Sequence, residues 1–388
     1  MLHRGFERRL LLGGVALLAT GLFALLPACK RNAKADPNAG AKVRQLSPMP
    51  SASAVGGAKS AARREPPQKV ERKDSAMGTS LHFIVYTNEQ VDRAHTELAI
   101  DAAIVEMRRL EAILSEWRDD SEVGRINLQA GQWVSVGPET AEVIDKSLWT
   151  GRVSEGTFDI TFQAMSGVWR FGSAQTSAPA LPSPAEVKKL RALIDYRKVE
   201  LDSKGLRVRI PKGRKIGLGG IAKGYIVDRA VAVLRQASLN SFLVQAGGDL
   251  YGAGRKPDGA PWVSGIQDPR AAQGVFFAAI ELEDHAFSTA GDYARSFVLD
   301  GKRYHHIIDP RTGYPATASR SVTVHAPDAV TADMIDDAVF ILGPEKGMKL
   351  AASLPDVGVV IVDAHNKLWV SPSLAAKVRV ERQPSDGI

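Results

Sequence analysis

The sequence has 388 residues, 44% hydrophobic and 24% charged, and its single cysteine excludes a disulfide scaffold and any cysteine-based zinc site. Aromatic residues make up 6%, and the absence of a repeat of about 20–50 residues argues against a solenoid or propeller. The net charge of +7 lies outside the candidate domain: residues 1–73 hold 14 Lys/Arg against 4 Asp/Glu, and the remainder holds 36 against 39, so a duplex-binding surface loses its support.

Arg4, Arg8 and Arg9 precede an uncharged run from Leu10 to Cys29, the pattern of a secretory leader over 1–28. Leu26-Pro27-Ala28 before Cys29 is similar to a bacterial lipobox, with Pro27 departing from the usual small or aliphatic residue. Acylation of Cys29 would tether the chain to a membrane; the alternative is an uncleaved anchor helix. Arg8-Arg9 also weakly resembles a twin-arginine export signal, against an ordinary basic leader. Every version puts the domain in the bacterial cell envelope, outside the cytoplasm. Residues 29–73 are rich in Ala, Pro, Ser, Lys and Arg, contain no aromatic residue, and read as a flexible tether. The folded domain is expected over 74–375, with a tail over 376–388.

Within it, Leu81–Tyr86 predicts a strand and Glu89–Trp117 a long helix with an apolar stripe including Leu98, Ile104, Val105 and Leu110. Pro138 opens a second helix, and Ser183-Pro184-Ala185-Glu186 a third through a capping box. Val199–Leu201 and Leu206–Ile210 predict a hairpin. The loop 217–220 leads into a helix to about Gln236, followed by strands at Phe242–Gln245, Trp262–Ile266 and Phe277–Leu282. Asp300-Gly301 marks a further hairpin. A strand at Ser321–His325, two helices from Ala332 and Pro344, and strands at Val357–Val362 and Leu368–Val370 complete the pass. Hairpins mixed with helices give an α+β class.

Four segments could carry chemistry. Gly217-Leu-Gly-Gly-Ile-Ala-Lys-Gly-Tyr225 reads as a dinucleotide fingerprint lacking its flanking strand and acid, as a diphosphate loop with outward amides and Lys223 as counter-charge, or as a tight turn. Asp333, Asp336 and Asp337 share one helical face, which suits Mg²⁺, or else they offset the helix dipole beneath a Thr331 cap. His305-His306 lie in a strand, so at most one enters a cleft. Phe158–Thr161 and Phe287–Tyr293 each read as polar turns when taken alone.

The order of the motifs carries more than any one of them. Met77-Gly78-Thr79, Leu114-Ser-Glu-Trp117, Ser121-Glu122, Gly156-Thr-Phe-Asp-Ile-Thr161 and Trp169-Arg-Phe-Gly172 come first. Leu218–Tyr225 with Asp228, Gly247-Gly-Asp249, Ser288–Tyr293, His306–Gly313 and the Asp333 cluster follow. This series resembles the ApbE family, the FAD:protein FMN transferases. The resemblance implies a T-fold-related α+β domain with mixed sheets and packed helices. It also implies Mg²⁺-dependent cleavage of FAD, with FMN passing to a Thr or Ser hydroxyl of an exported flavoprotein subunit of a membrane redox complex and AMP leaving. By family position, Asp333, Asp336, Asp337 and the Gly220 carbonyl would hold the metal. Met77, Trp117, Thr157, Phe158, Asp159, Lys223 and Ile308 would line the FAD site. His306 would act near the phosphates as base or charge stabiliser, with Asp333 also in the catalytic set. Gly217, Ala290 and Asp337 stand where the family usually has Asp, Ser and Thr, which leaves an FAD pyrophosphatase or a non-catalytic FAD-binding lipoprotein as alternatives.

Overall fold

The computed structural model describes residues 66–171 and 180–387. The leader, Cys29, the tether up to residue 65 and Gly172 lie outside the described residues. Strands β1 (Lys69–Ala76) and β2 (Thr79–Tyr86) form a hairpin around Met77-Gly78, whose φ angles of 54° and 67° are those of a primed two-residue turn. The fold therefore begins five residues before the expected Asp74, because Lys69–Lys73 are strand and not tether. Polar residues on the exposed side of this edge strand hide it in the composition, while Val70 is buried.

Helix α1 (Arg93–Leu114) is shorter than its periodicity suggested, starting at an Asp92 cap. It buries Ile100, Met107 and Leu110, whereas Leu98 and Val105 stay 65% exposed. Next come α2 (Glu122–Leu128), β3 (Val134–Ser135) and α3 (Pro138–Val153). Helix α4 (Pro184–Arg191) is capped by Ser183 as expected. The predicted hairpin is β4 (Glu200–Asp202) with β5 (Arg207–Arg209), and α5 (Ala222–Gln236) follows the glycine loop.

The next strands are β6 (Phe242–Ala246), β7 (Asp249–Ala253), β8 (Trp262–Gln267), β9 (Phe276–Leu282) and β10 (His285–Gly291). Strand β10 covers most of the segment read as a polar turn. The hairpin β11 (Ser296–Leu299) and β12 (Lys302–His305) encloses Asp300-Gly301, and β13 (Ile308–Asp309) pairs with β14 (Tyr314–Pro315). Then come β15 (Ser319–Ala326), α6 (Ala329–Leu342), α7 (Pro344–Ala352), β16 (Gly358–Asp363), β17 (Leu368–Val370) and β18 (Val378–Val380). Strand β18 pairs with β9, and the Ser385 amide and hydroxyl both bond Asp268, so 378–385 belongs to the fold rather than to a tail.

One antiparallel sheet of eight strands, in the order β1-β2-β6-β7-β10-β15-β16-β17, divides the interior. Alternate side chains serve opposite faces. Phe83, Val244, Ala286, Val324 and Ile361 join α1, α5 and α6 in the larger core. Leu243, Leu250, Phe287, Val360 and Val362 pack instead on Trp262, Phe277 and Ile280 of the small sheet β18-β9-β8. Among the described residues, no helix is long and apolar enough to cross a membrane.

Candidate active site

The site is assembled where α5 and α6 approach closely over β7 and β10. Gly224 makes that approach possible: a β-carbon there would stand 2.2 Å from the Ala329 carbonyl oxygen. Its amide donates to Asp333 Oδ2 at 2.9 Å. Asp228, one turn on in α5, accepts the Ala329 and Val330 amides at 2.7 and 2.8 Å. Asp328 caps Thr331, so Thr331 is not the cap and α6 starts earlier than expected. With the first amides taken by Asp228 and Asp328, Asp333 and Asp336 are free to face inward.

Carboxylate oxygens of Asp249, Asp333 and Asp336 lie within 4.8 Å of one another, all buried. Lys223 Nζ is 2.6 Å from Asp249 and 3.0 Å from Asp333. The Ser288 hydroxyl contacts Asp249 and also Asp336, the latter at 2.6 Å. A hydroxyl has one proton to donate, so both contacts hold only when one of the two carboxyls is itself protonated. Burial, then the charges of Asp337, Asp333 and Asp249, push Asp336 well above the usual carboxyl range. Burial and Asp249 push Asp333 up to about 7, against the pull of Lys223. Burial pushes Asp337 up to about 6, while Lys223 opposes. Carboxyls on a dry face with one ammonium carry unbalanced negative charge, and a hard divalent cation fits that donor set.

The structure brings Asp333 and Asp336 together and adds Asp249, which sequence reasoning did not single out as a ligand. Asp337 is half-buried beside Gly220, its Oδ2 3.1 Å from where a Gly220 β-carbon would be. The Phe158 ring packs against the same glycine.

Of the three readings of the glycine loop, the amides of Gly217, Leu218 and Gly219 fit the tight turn and not the outward diphosphate cradle. The Gly217 amide donates to Ile160 O, and Glu116 takes the amides of Leu218 and Gly219. Burial raises the Glu116 carboxyl, with those amides and Arg295 opposing. A β-carbon on Gly217 would meet Gln163 Oε1 at 2.9 Å and Glu116 Cδ at 3.2 Å. Side-chain carboxylate and amide thus fill the space beside Gly217, and these amides serve the fold. Lys223 likewise spends its charge on the acids rather than standing free.

The two histidines divide their roles. His305 is buried, its Nε2 bonded to Ala316 O at 2.8 Å and its Nδ1 accepting the Ile307 amide. His306 is half-buried, and its Nδ1 is buried with no hydrogen-bond partner. Burial, with the charges of His305, Arg295 and Lys223, pushes His306 down to about 4, so the imidazole is neutral at pH 7.

Other expected FAD-lining residues are spread wider. Trp117 is 78% exposed, and Met77 borders an open groove with Asp74 and Glu111. Asp159 is committed to Thr161 and the Tyr196 amide, and the Thr157 hydroxyl to Ser154 and Ala338 carbonyls. Ile308 packs with Met165, Trp169 and Phe297. Trp169 Nε1 donates to Gly313 O, joining the motifs that begin at Trp169 and His306. Ala290 faces the larger core two residues beyond Ser288, whose hydroxyl does contact the acids.

The ApbE family profile matches residues 77–361. An FAD:protein FMN transferase of Treponema pallidum is 31% identical over 330 residues, covering 81% of this chain and 90% of that protein. One from Haemophilus influenzae is 28% identical over 79% of this chain and 90% of its own length. Among solved structures, the ApbE protein of Thermotoga maritima superposes with a TM-score of 0.73 at 33% identity, over 80% of this chain and 100% of that one. The flavin transferase ApbE of Vibrio cholerae gives 0.69 at 27% identity, again over 80% and 100%.

Proposed function

This chain belongs to the ApbE family and is a flavin transferase, and we propose that it moves FMN from FAD to a Thr or Ser hydroxyl of an exported flavoprotein subunit with Mg²⁺ present. The observation that supports this reading is the buried Asp249–Asp333–Asp336 cluster with the Lys223 ammonium among its carboxylates. Bound Mg²⁺ would supply charge neutralisation for a diphosphate, held by Asp333 and Asp336 with Asp337 and Gly220 adjacent. The acceptor hydroxyl oxygen forms a bond to the FMN phosphorus, the bond to the bridging oxygen breaks, and AMP leaves with that electron pair. Neutral His306 can take the hydroxyl proton, which favours the base over the charged stabiliser. Cys29 would carry lipid, keeping the domain at the outer side of a bacterial membrane, where an exported acceptor is met.

Incubating the chain with FAD, Mg²⁺ and candidate exported flavoproteins tests the reading through in-gel flavin fluorescence and AMP release. AMP without a fluorescent band would mean hydrolysis; neither product, with FAD still bound, would mean a carrier. His306→Ala should lower transfer on the order of 10²–10⁴-fold with the melting temperature nearly unchanged. His305→Ala should instead lower the melting temperature, since it deletes a buried hydrogen bond. Equal mild losses of activity from both would reject His306 as the base.

A further inference from the structure

Lys223 and Asp249 come from different elements and meet inside the acid cluster. Asp249 is the first residue of β7 and is 1% exposed, while Lys223 stands in the first turn of α5. The ammonium lies 0.4 Å closer to Asp249, at 2.6 Å, than to Asp333, at 3.0 Å. About a third of the Lys223 side chain remains exposed, at 35%. The ammonium is therefore held among acids while part of the side chain still meets solvent.

Taking the cluster as the metal site proposed above, a divalent cation bound to Asp333 would sit against an ammonium already on that carboxylate. Two cations at such separations repel strongly where water is scarce. The lysine must leave Asp333, and its flexible stem and rotating donors allow this. Asp249 is held by Ser288 on a central strand and can keep the ammonium by its nearer contact. We propose that Lys223 is the built-in counter-ion of the metal-free cluster, and that Asp249 is a positioning residue that retains it when a divalent cation takes Asp333. The released donors of the ammonium are then available to an anionic diphosphate, which would couple metal binding to substrate binding.

The test is a double-mutant cycle read by calorimetric titration of the full chain with Mg²⁺ alone, in metal-free buffer without FAD. Lys223→Met should bind Mg²⁺ at least about ten-fold more tightly, because the competing cation is gone, and the same variant should bind FAD more weakly. A general structural defect would weaken both, so opposite signs are the signature. Asp249→Asn should weaken Mg²⁺ binding about ten-fold in the native background, where Lys223 has only Asp333 left, and much less in the Lys223→Met background. If Lys223→Met does not fold, Lys223→Gln keeps a donor to both acids and serves in its place. An equal loss from Asp249→Asn in both backgrounds would make Asp249 a direct ligand and overturn the proposal, as would no gain from Lys223→Met. Those outcomes leave the transferase reading intact if the native chain binds Mg²⁺ and FAD; a native chain that binds neither sinks both.

Discussion

The two faces of the eight-stranded sheet solve opposite electrostatic problems. Toward α5 and α6, the sheet buries carboxyls: Asp249 and the Ser288 hydroxyl project from β7 and β10 to meet Asp333, Asp336 and Lys223. Toward β8 and β9 it buries apolar residues and the His325 imidazole, which burial keeps neutral. There His285 and His325 stack with ring centres 4.5 Å apart, His285 Nε2 lies 2.8 Å from Asp356, and His325 Nε2 is buried without a partner. Burial, then the charges of His285 and Lys377, push His325 down to about 3. The helix face resists charge from ionised acids as pH rises, and the sheet face resists charge from a protonated His325 as pH falls. A binding site can relieve the first with a cation from outside. Nothing comparable enters the second, which reads as scaffold.

The largest break in this contrast is expected from Gly224→Ala. The added methyl would overlap the Ala329 carbonyl at 2.2 Å and Asp333 Cβ at 2.7 Å, so α5 and α6 must separate. Denaturant unfolding should show a loss of more than about 3 kcal/mol, and Mg²⁺ binding should fall with it. Native stability and native metal affinity in this variant would show that the close helix approach does not build the site.

The sheet face is tested by acid. A histidine with a folded value of about 3 and an unfolded value near 6.5 contributes stability that is fully present above 6.5 and lost as pH falls from there toward 3. At pH 5 the unfolded chain holds the proton and the folded site does not, a cost of about 2 kcal/mol. His325→Leu removes this linkage and, since Nε2 has no partner, deletes no hydrogen bond there. Its unfolding free energy should therefore fall less between pH 7 and pH 5 than that of the native chain. The remaining acid loss should come from His305 and His306, both also pushed down by burial. Parallel pH profiles for the variant and the native chain would place the acid sensitivity elsewhere.

These two faces were unequally legible in the sequence. Long elements with local signals appeared where expected: the Ser183 cap, the Asp300-Gly301 hairpin and the helix after the glycine loop all came from residues near one another. Strands β1, β7 and β10 did not, because charged, glycine-rich or polar residues in them are explained only by neighbours far along the chain. Asp249 and Asp333 are an example: 84 positions apart, they share one ammonium. Glu116 is another, since its place against Gly217 depends on a loop about 100 residues later. Motif order gave the family, but not which carboxylates touch. Asp249 and Glu116 both stand inside family motifs, Gly247-Gly-Asp249 and Leu114-Ser-Glu-Trp117, so their identity was visible and their role was not.

The smallest effect should sharpen how far the acidic face extends. Asp337 is next to Asp336 in sequence, yet it lies outside the trio whose oxygens come together, and it stays half-buried against Gly220. Burial raises its carboxyl to about 6, and Lys223 counters that, so near neutral pH it is mostly ionised and adds charge to a face that already has an excess. Thr at this position keeps an oxygen and removes that charge. Without metal, Asp337→Thr should leave the unfolding free energy within about 1 kcal/mol of the native value, on the stabilising side, because one repulsion is gone. With metal, the half-saturating Mg²⁺ concentration for transfer should rise by a factor of a few, while the rate at saturating Mg²⁺ is retained. Because Asp333 and Asp336 keep their carboxylates, the variant cannot lose metal binding outright unless Asp337 coordinates directly. Abolished transfer that excess Mg²⁺ does not restore would therefore move Asp337 from the margin of the cluster to its centre.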